Sequence, residues 1–433
     1  MSPTIIGMLG LLALIVLILE SMPVGFVMAL VGLFGFAYLV SLDAALNLAA
    51  QDLFEVFGSY NLTVIPLFIL MGQISYHAGI SGRLFEMAYK FIGHWRGGMA
   101  MATVGACAGF SAICGSTNAT AATMSAVTLP EMKKYRYRDT LATGVVAAGG
   151  SLGILIPPSV IFIVYGVMTE QSIGKLFMAG VLPGLILTLL FVLVIAVWTQ
   201  LDPGLAPRGP RASFRERMVS LAGVIETLAL FLLVMGGLFF GFFTPTEAGG
   251  VGAAGALAVA VIGRKLTWKA LKTSFKETTR ISCMIMMIVA GATIFGHFLA
   301  ITRIPFEVAG WVAGFDCPPL MIMGMIILIY FIGGCFIDAL ALMMLTVPIF
   351  YPVVISMGYH PLWFGVIIVL ITQIGVITPP VGINVYVVGS VAKDVPLHRI
   401  FKGVLPLMLA LILGILILIP FPQITLFLPG LMK

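Results

Sequence analysis

The sequence contains few charged residues. Asp, Glu, Lys and Arg make up 9% of its 433 residues, whereas hydrophobic residues make up 61%. A soluble domain needs a more polar surface, so this composition excludes a soluble fold and indicates an all-α polytopic membrane protein. The net charge of +6 does not by itself indicate nucleic-acid binding, because basic residues in a membrane protein first mark its cytoplasmic loops.

The residue patterns of common enzymes are also missing. The five histidines form no HExxH pair and the five cysteines form no CxxC pair. Gly174 and Lys175 lack the upstream glycine and the following Ser or Thr of a phosphate-binding loop. Ser111 has no evident base to activate it. We therefore expect no enzyme activity, and an intramembrane enzyme is the weakest interpretation.

Apolar stretches of membrane-spanning length recur along the whole chain. Between them, the segments 43–59, 81–96 and 266–280 have the amphipathic spacing of helices that lie in the membrane interface. The predicted crossings are ten, at 4–20, 23–41, 62–79, 139–168, 174–200, 219–241, 244–263, 281–301, 361–392 and 403–430.

The segment 97–132 is apolar, but polar residues at 115–118 divide it into halves that are too short to span a bilayer. Basic residues flank it on both sides, so both of its ends are expected on the cytoplasmic side. A re-entrant hairpin with its tip at 116–118 satisfies both conditions. With this hairpin in place, 20 of the 23 Lys and Arg fall in predicted cytoplasmic stretches.

Residues of the first half recur in the second half at a nearly constant offset. Each copy has five crossings and one hairpin, and an odd number of crossings makes the second copy enter the membrane inverted. The second hairpin, 317–356, is therefore expected to enter from the opposite side. The matched residues are Pro23 and Pro245, Phe85–Glu86 and Phe306–Glu307, Pro130 and Pro348, and Pro157–Pro158 and Pro379–Pro380.

Inverted repeats with broken helices are typical of secondary transporters whose site lies near mid-membrane. Neutral oxygens from hydroxyls and open backbone suit a cation such as Na⁺, and helix N-termini suit an anionic group. The pattern predicts a Na⁺-coupled carrier of a small organic anion, and a channel built from re-entrant loops is the alternative. The candidate groups are Ser116, Thr117, Asn118, Thr120, Gly153, Gly334, Asp338, Thr346, Thr378 and Asn384, with Asp338 expected to be buried.

Four segments together resemble one family: 115–120 with 130–132, 153–159, 243–249 and 378–382. Over essentially the whole chain, the sequence is similar to the large membrane subunit of TRAP transporters, the tripartite ATP-independent periplasmic carriers. The resemblance implies an elevator-type architecture, Na⁺ as the coupling ion, a small four-helix membrane subunit on a separate chain, and a periplasmic binding protein. It also implies a carboxylate or small sulfonate as substrate and a location in the bacterial inner membrane.

The resemblance also implies roles for residues and segments. Na⁺ would lie near Ser116, Asn118 and Gly153 and near Gly334, Asp338 and Thr378, and the substrate near Ser116, Thr117, Thr120, Ser159, Thr346 and Asn384. An acid group would be held either by helix N-termini with Na⁺ or by Arg303. The resemblance also implies a transport domain in two halves. The first half is 97–173, with a hairpin at 97–134 and a broken helix at 139–168, and the second half is 317–395, with a hairpin at 317–356 and a broken helix at 361–392. The rest would be a scaffold with its interfacial arm (1–61), a span with an arm (62–96), scaffold helices with an arm (174–280), a span with an arm (281–316) and a C-terminal span (396–433).

Overall fold

The computed structural model describes residues 2–20, 22–313 and 318–432, and it has no named β-strand in those ranges. Short 3₁₀ helices connect some of the α-helices, at Tyr60–Thr63, Ser151–Ile154 and Pro203–Leu205. The α-helices of the described residues are α1 Pro3–Leu19, α2 Val24–Leu39, α3 Leu42–Gly58, α4 Val64–His77, α5 Ile80–Ile92, α6 Gly98–Cys114, α7 Thr117–Lys134, α8 Asp139–Gly150, α9 Val160–Met168, α10 Ile173–Leu201, α11 Phe214–Ala222, α12 Ile225–Phe239, α13 Pro245–Ile262, α14 Trp268–Thr302, α15 Ile304–Ala313, α16 Pro319–Gly334, α17 Ala339–Ser356, α18 Pro361–Ile377, α19 Ile383–Val391, α20 Leu397–Leu418 and α21 Pro422–Leu431.

The described helices are those of a multi-pass membrane protein. Five of them are long and apolar enough to cross a membrane, and the number rises to seven when each of two bent helix pairs counts as one span. One of the five, α17, belongs to the predicted second hairpin. The predicted crossings outside this set coincide with shorter apolar helices such as α1 and α2, or with the paired half-helices α8–α9 and α18–α19. The all-helical membrane fold is therefore confirmed.

Helices α6 and α7 form the predicted first hairpin. Gly115 lies between them with a φ of 63°, a conformation that glycine adopts without a steric penalty. The two ends of the hairpin meet, because the Met99 N–H donates a hydrogen bond to the Tyr137 hydroxyl over 3.2 Å. The chain thus enters and leaves this segment at the same end, as expected for a re-entrant hairpin.

Both predicted broken helices are present. In the first, α8 passes into the 3₁₀ helix Ser151–Ile154 and a turn through Pro157 and Pro158 before α9 begins. In the second, α18 ends at Ile377 and α19 begins at Ile383, after Pro379 and Pro380. Proline lacks the amide proton that a helix needs and its ring clashes with the preceding turn, so each double proline ends its helix.

The two broken helices run antiparallel to each other. The hydroxyl of Tyr165, in the second part of α9, donates a hydrogen bond of 2.7 Å to the carbonyl of Pro361 at the start of α18. At the opposite end, Lys133, close before α8, pairs with Asp394, which follows α19. The end of each broken helix therefore lies beside the start of the other, as the predicted inverted repeat requires.

Helix boundaries define the repeat offset more sharply than the matched residues did. The starts of α1 and α12, of α7 and α17, and of α8 and α18 are separated by one and the same interval. Helices α7 and α17 both have 18 residues, so the counterpart of Pro130 is Pro352 and not Pro348. The pairing with Pro348 is thus corrected. The first residue of the expected second hairpin, 317, lies outside the described residues, as does the boundary between 316 and 317.

Two segments differ from the prediction. The expected arm 266–280 and span 281–301 form one continuous helix, α14, because neither proline nor glycine interrupts residues 268–290. The expected crossing 403–430 is instead two helices, α20 and α21, since Pro420 and Pro422 end the first and begin the second. The arm in the first repeat, α3, is separate from α4 and bends by 49° from it.

The core of the molecule surrounds α18. Residues 362–377 of this helix are all buried. Near its end, Gln373 Oε1 lies 3.2 Å from Ser151 Oγ in the first repeat. The interval between these two residues equals the repeat offset, so they are equivalent residues that touch each other, which places the pseudo-two-fold axis of the inverted repeat between them. The hairpins and broken helices of both halves pack around this point, and α10 and α20 pack against them.

Candidate functional site

The tips of the two hairpins meet at one crevice. Ser116, Thr117 and Asn118 of the first tip and Asp338 of the second line a cavity of about 120 Å³. The opposite wall comes from α4 and α14, including Gln73 and Met284. Residues far apart in sequence thus converge at a single polar site, at the point where both hairpins end.

The first tip is held against the first broken helix by its backbone. Ser116 is the N-cap of α7, and its hydroxyl accepts a hydrogen bond of 3.4 Å from the Ala119 N–H. Gly153 lies so close to Ser116 that a Cβ at position 153 would be 2.5 Å from the Ser116 carbonyl oxygen. Glycine at 153 therefore permits the contact that fixes the tip.

The second tip has the same arrangement. Asp338 is the N-cap of α17, and its Oδ1 accepts a hydrogen bond of 3.0 Å from the Leu340 N–H. Gly334 lies directly against the backbone of Gly375 in the second broken helix. The Val381 N–H donates to the Cys335 carbonyl over 3.3 Å. Each tip is therefore fastened to the break of its own half.

The expectation that Asp338 is buried is wrong. Its side chain is exposed on the surface of the crevice. The reason is that α17 begins at the crevice, so its capping residue faces the open space and not the interior. A carboxylate in this position is accessible to an ion or a solute that enters the crevice.

Most of the other candidate hydroxyls bond to their own helix or to the turn next to it. The Thr346 hydroxyl donates to the Leu342 carbonyl over 2.7 Å, as hydroxyls in helices commonly do. Ser159 and Thr378 bond in the same way to the carbonyls of Ile154 and Ile374, over 2.6 and 2.5 Å. None of these three side chains lines the crevice.

Two further candidates are buried away from the crevice. Asn384 Nδ2 donates to the Ala147 carbonyl over 3.0 Å and so connects the second broken helix to the first. The hydroxyl of Thr120 is fully buried and has no hydrogen-bond partner in the described part of the chain. Gly153 contacts the backbone of the first tip, and Gly334 joins the second tip to the backbone of Gly375. The crevice thus brings together Ser116, Thr117, Asn118 and Asp338 and leaves the other candidates in supporting positions.

Gln73 is a lining residue that the sequence analysis missed. It is half-buried in α4, and its side chain belongs to the wall opposite the hairpin tips. The available signal was a lone glutamine in the predicted span 62–79, where a polar side chain in hydrocarbon usually faces a cavity or another helix.

The crevice has no basic side chain among the described residues that line it. Arg303 was one of the two groups expected to hold an acid group. It caps the C-terminal end of α14 and lies about 28 Å along that helix from Met284 of the crevice. Binding by a helix N-terminus agrees with the geometry at the first tip, because α7 begins at the crevice with the neutral Ser116 as its cap. Helix α17 begins there too, but the Asp338 carboxylate already caps it.

Comparison with known families identifies the family of this chain. The model of the DctM component of the tripartite ATP-independent periplasmic transporter family matches residues 11–424. The chain belongs to this transporter family. A DctM component is a permease, so this chain is not an enzyme.

Relatives of this DctM-family chain carry several substrate names. It is 36% identical to the C4-dicarboxylate TRAP transporter large permease protein DctM of Pseudomonas aeruginosa, over 90% of the chain and 91% of that protein. It is 35% identical to the sialic acid TRAP transporter large permease protein SiaM of Vibrio cholerae, over 100% of the chain and 99% of that protein. The isethionate TRAP transporter permease protein DctMQ of Oleidesulfovibrio alaskensis is 35% identical over 92% of the chain, which spans 63% of that longer protein.

A solved structure shares the fold of the DctM-family chain. The crystal structure of the Alcanivorax borkumensis YdaH transporter superposes with a TM-score of 0.59, covering 90% of the chain and 89% of the other protein. The two sequences are 14% identical, so the likeness concerns the fold alone.

Proposed function

We propose that this DctM-family permease imports a small organic anion together with Na⁺. The observation that carries the proposal is the convergence of Ser116, Thr117, Asn118 and Asp338 at one crevice. Hydroxyl, amide and carboxylate oxygens suit a hard cation. The N-terminus of α7 at the same place, capped by the neutral Ser116, suits an acid group. One small site thus offers groups for both solutes.

The transport step would be an elevator movement. The moving unit would comprise both hairpins and both broken helices, within 97–173 and 317–395, with α10, α20 and α21 packed on its outside. The remaining unit, with α1–α4 and α12–α14, would stay fixed, since these helices pack mainly on one another. The crevice lies between the two units, with the hairpin tips on one side and α4 and α14 on the other.

The substrate would be a carboxylate or a small sulfonate. Relatives at 30–36% identity are named for C4-dicarboxylate, sialic acid, isethionate or ectoine transport. The absence of a basic side chain from the described lining of the crevice favours binding of the acid group through helix N-termini and Na⁺. The partners would be a small membrane subunit on a separate chain and a periplasmic binding protein, and the location would be the bacterial inner membrane.

Uptake by reconstituted protein tests the proposal. In liposomes that contain the chain with its small subunit, uptake should require an inward Na⁺ gradient and the cognate binding protein, and no ATP. Asn118→Ala and Asp338→Ala should each lower uptake, whereas the matched changes Asn47→Ala and Asp43→Ala on the exposed face of α3 should not. Unchanged uptake in both crevice variants would refute the site. Saturating flux without the binding protein or Na⁺ would favour the channel alternative.

A further inference from the structure

A second cavity lies along the same helices as the crevice. It has a volume of about 350 Å³ and is lined by Leu62 just before α4, by α14 at Thr293 and by α17 at Met344. Thr293 lies about 14 Å along α14 from Met284 of the crevice. We call this space the outer cavity, because it lies toward the end of α14 that carries only Arg303 and away from the four basic residues in the first part of the helix. Those residues are Lys269, Lys272, Lys276 and Arg280.

One wall of the outer cavity carries a buried carboxylate, and one of its two oxygens is unpaired. Asp52 of α3 lines the cavity and is 3% exposed. Its Oδ1 lies 3.1 Å from Nε2 of His297, whereas its Oδ2 is buried and has no hydrogen-bond partner in the described part of the chain. An unpaired oxygen of a buried carboxylate is costly, so a proton donor or a cation beside Asp52 would stabilise it.

Further oxygens lie on the same wall. Glu55 is one helical turn from Asp52 and also lines the cavity, with one carboxylate oxygen accepting a 2.9 Å hydrogen bond from Gln51 Nε2. Ser59 and Thr293, which both carry hydroxyls, line it as well. No Lys or Arg among the described residues lines this cavity, and the opposite wall from α9 and α17 is apolar. The described lining of the cavity therefore combines two carboxylates with hydroxyl oxygens, the chemistry that a hard cation prefers.

We propose that Asp52 and Glu55 hold a Na⁺ ion in the outer cavity, on the route from the outer face to the hairpin crevice. The cavity and the crevice share α14 and α17 as walls, so an ion that leaves Asp52 continues along one boundary between the fixed and the moving unit. The inference rests on the proposed Na⁺ coupling, and it adds an ion site on the fixed unit that is separate from the hairpin tips.

Equilibrium binding of ²²Na⁺ tests this site. The measurement uses the chain with its small subunit in lipid nanodiscs, with choline replacing Na⁺ at constant ionic strength. Asp52→Asn and Glu55→Gln each remove one negative charge from the cavity. Each should raise the Na⁺ concentration that half-saturates the outer site by about three- to tenfold and leave binding at the hairpin tips unchanged. Asp43→Asn removes the same charge from an exposed position on the same helix and should leave binding unchanged.

The outcomes separate this inference from the proposed function. Unchanged binding in both Asp52→Asn and Glu55→Gln would overturn the inference, and so would an equal loss in Asp43→Asn, which would indicate a nonspecific surface charge. Glu55 is exposed, so its variant folds normally even where Asp52→Asn does not. Displacement of the label by Ca²⁺ far below the concentration needed for unlabelled Na⁺ would overturn the assignment to Na⁺. Loss of binding in Asp338→Ala alone would leave the proposed function standing without the outer site, whereas no ²²Na⁺ binding in the wild type would overturn both.

Discussion

Alanine at either of two glycines should push a hairpin tip out of the crevice. A Cβ at position 153 would lie 2.5 Å from the carbonyl oxygen of Ser116, and a Cβ at position 375 would lie 2.5 Å from that of Gly334. Ordinary van der Waals contact begins at 3.4 Å, so each tip must withdraw by about 0.9 Å, the difference between these distances. The obstacle is backbone in both cases, and it cannot rotate away as a side chain can.

The expected cost of these changes exceeds the gain from alanine. Overpacking a tight contact costs about 1–3 kcal/mol, whereas alanine in a helical position gains about 0.5–1 kcal/mol over glycine. At the first tip the displaced atom also accepts the first hydrogen bond of α7, from the Thr120 N–H over 3.1 Å. Binding groups must be held within about 0.5 Å, so we expect Gly153→Ala and Gly375→Ala to weaken Na⁺ binding about tenfold.

Thermal unfolding and ²²Na⁺ binding measure the two effects. Gly105→Ala and Gly324→Ala are matched controls, one on each hairpin. A Cβ at 105 would meet nothing closer than 3.9 Å, and one at 324 would meet nothing within 4 Å. The controls should keep or raise the unfolding midpoint and keep the affinity. If the variants at 153 and 375 behaved like these controls, the tips would not be fastened through their backbone, and the geometry of the crevice would be refuted.

Two further predictions concern the walls of the crevice and the contact between the repeats. Gln73→Leu roughly keeps the size of the side chain and removes its amide. It should raise the substrate KM for uptake several-fold without lowering thermal stability. An unchanged KM would show that Gln73 only fills space. The Lys133 ammonium holds the pKa of Asp394 below its usual value in the folded protein. The pair therefore stabilises the fold fully above the unfolded-state pKa of Asp394, which is about 3.9, and this stabilisation is lost as the pH falls through the lower folded-state pKa. The unfolding midpoint of the wild type should thus exceed that of Asp394→Asn at neutral pH, and the difference should vanish in acid; a gap that persists in acid would contradict the ion pair.

The hairpins and broken helices could be predicted because the membrane leaves few alternatives. Unpaired peptide groups are tolerated in hydrocarbon only when protein or a cavity surrounds them, so the polar residues 115–118 and the double prolines at 157 and 379 had to mark a turn or a break. The inverted repeat followed from the count of crossings. These features depend on local sequence together with the bilayer, and neither requires knowledge of which helices pack together.

The composition of the crevice could not be predicted in the same way. Ser116 and Thr346 both carry a hydroxyl within a predicted hairpin, yet one caps a helix at the crevice and the other bonds to its own helix. The difference depends on where each helix starts relative to its neighbours. Gln73 and Asp52 were missed for a related reason, because their role depends on contacts with segments that are distant in the sequence.

The repeat also explains how an acid group could be held without a basic side chain. Ser116 and Asp338 occupy equivalent positions of the two copies and cap equivalent helices, so the two tips share a backbone arrangement but differ in charge. Under the proposed coupling, Na⁺ at Asp338 forms a neutral pair, whereas Na⁺ among the neutral oxygens near Ser116 keeps its positive charge. That uncompensated charge, with the N-terminus of α7 beside it, attracts an anion to the first tip. The substrate would then bind only after the ion, and this order would couple the two solutes.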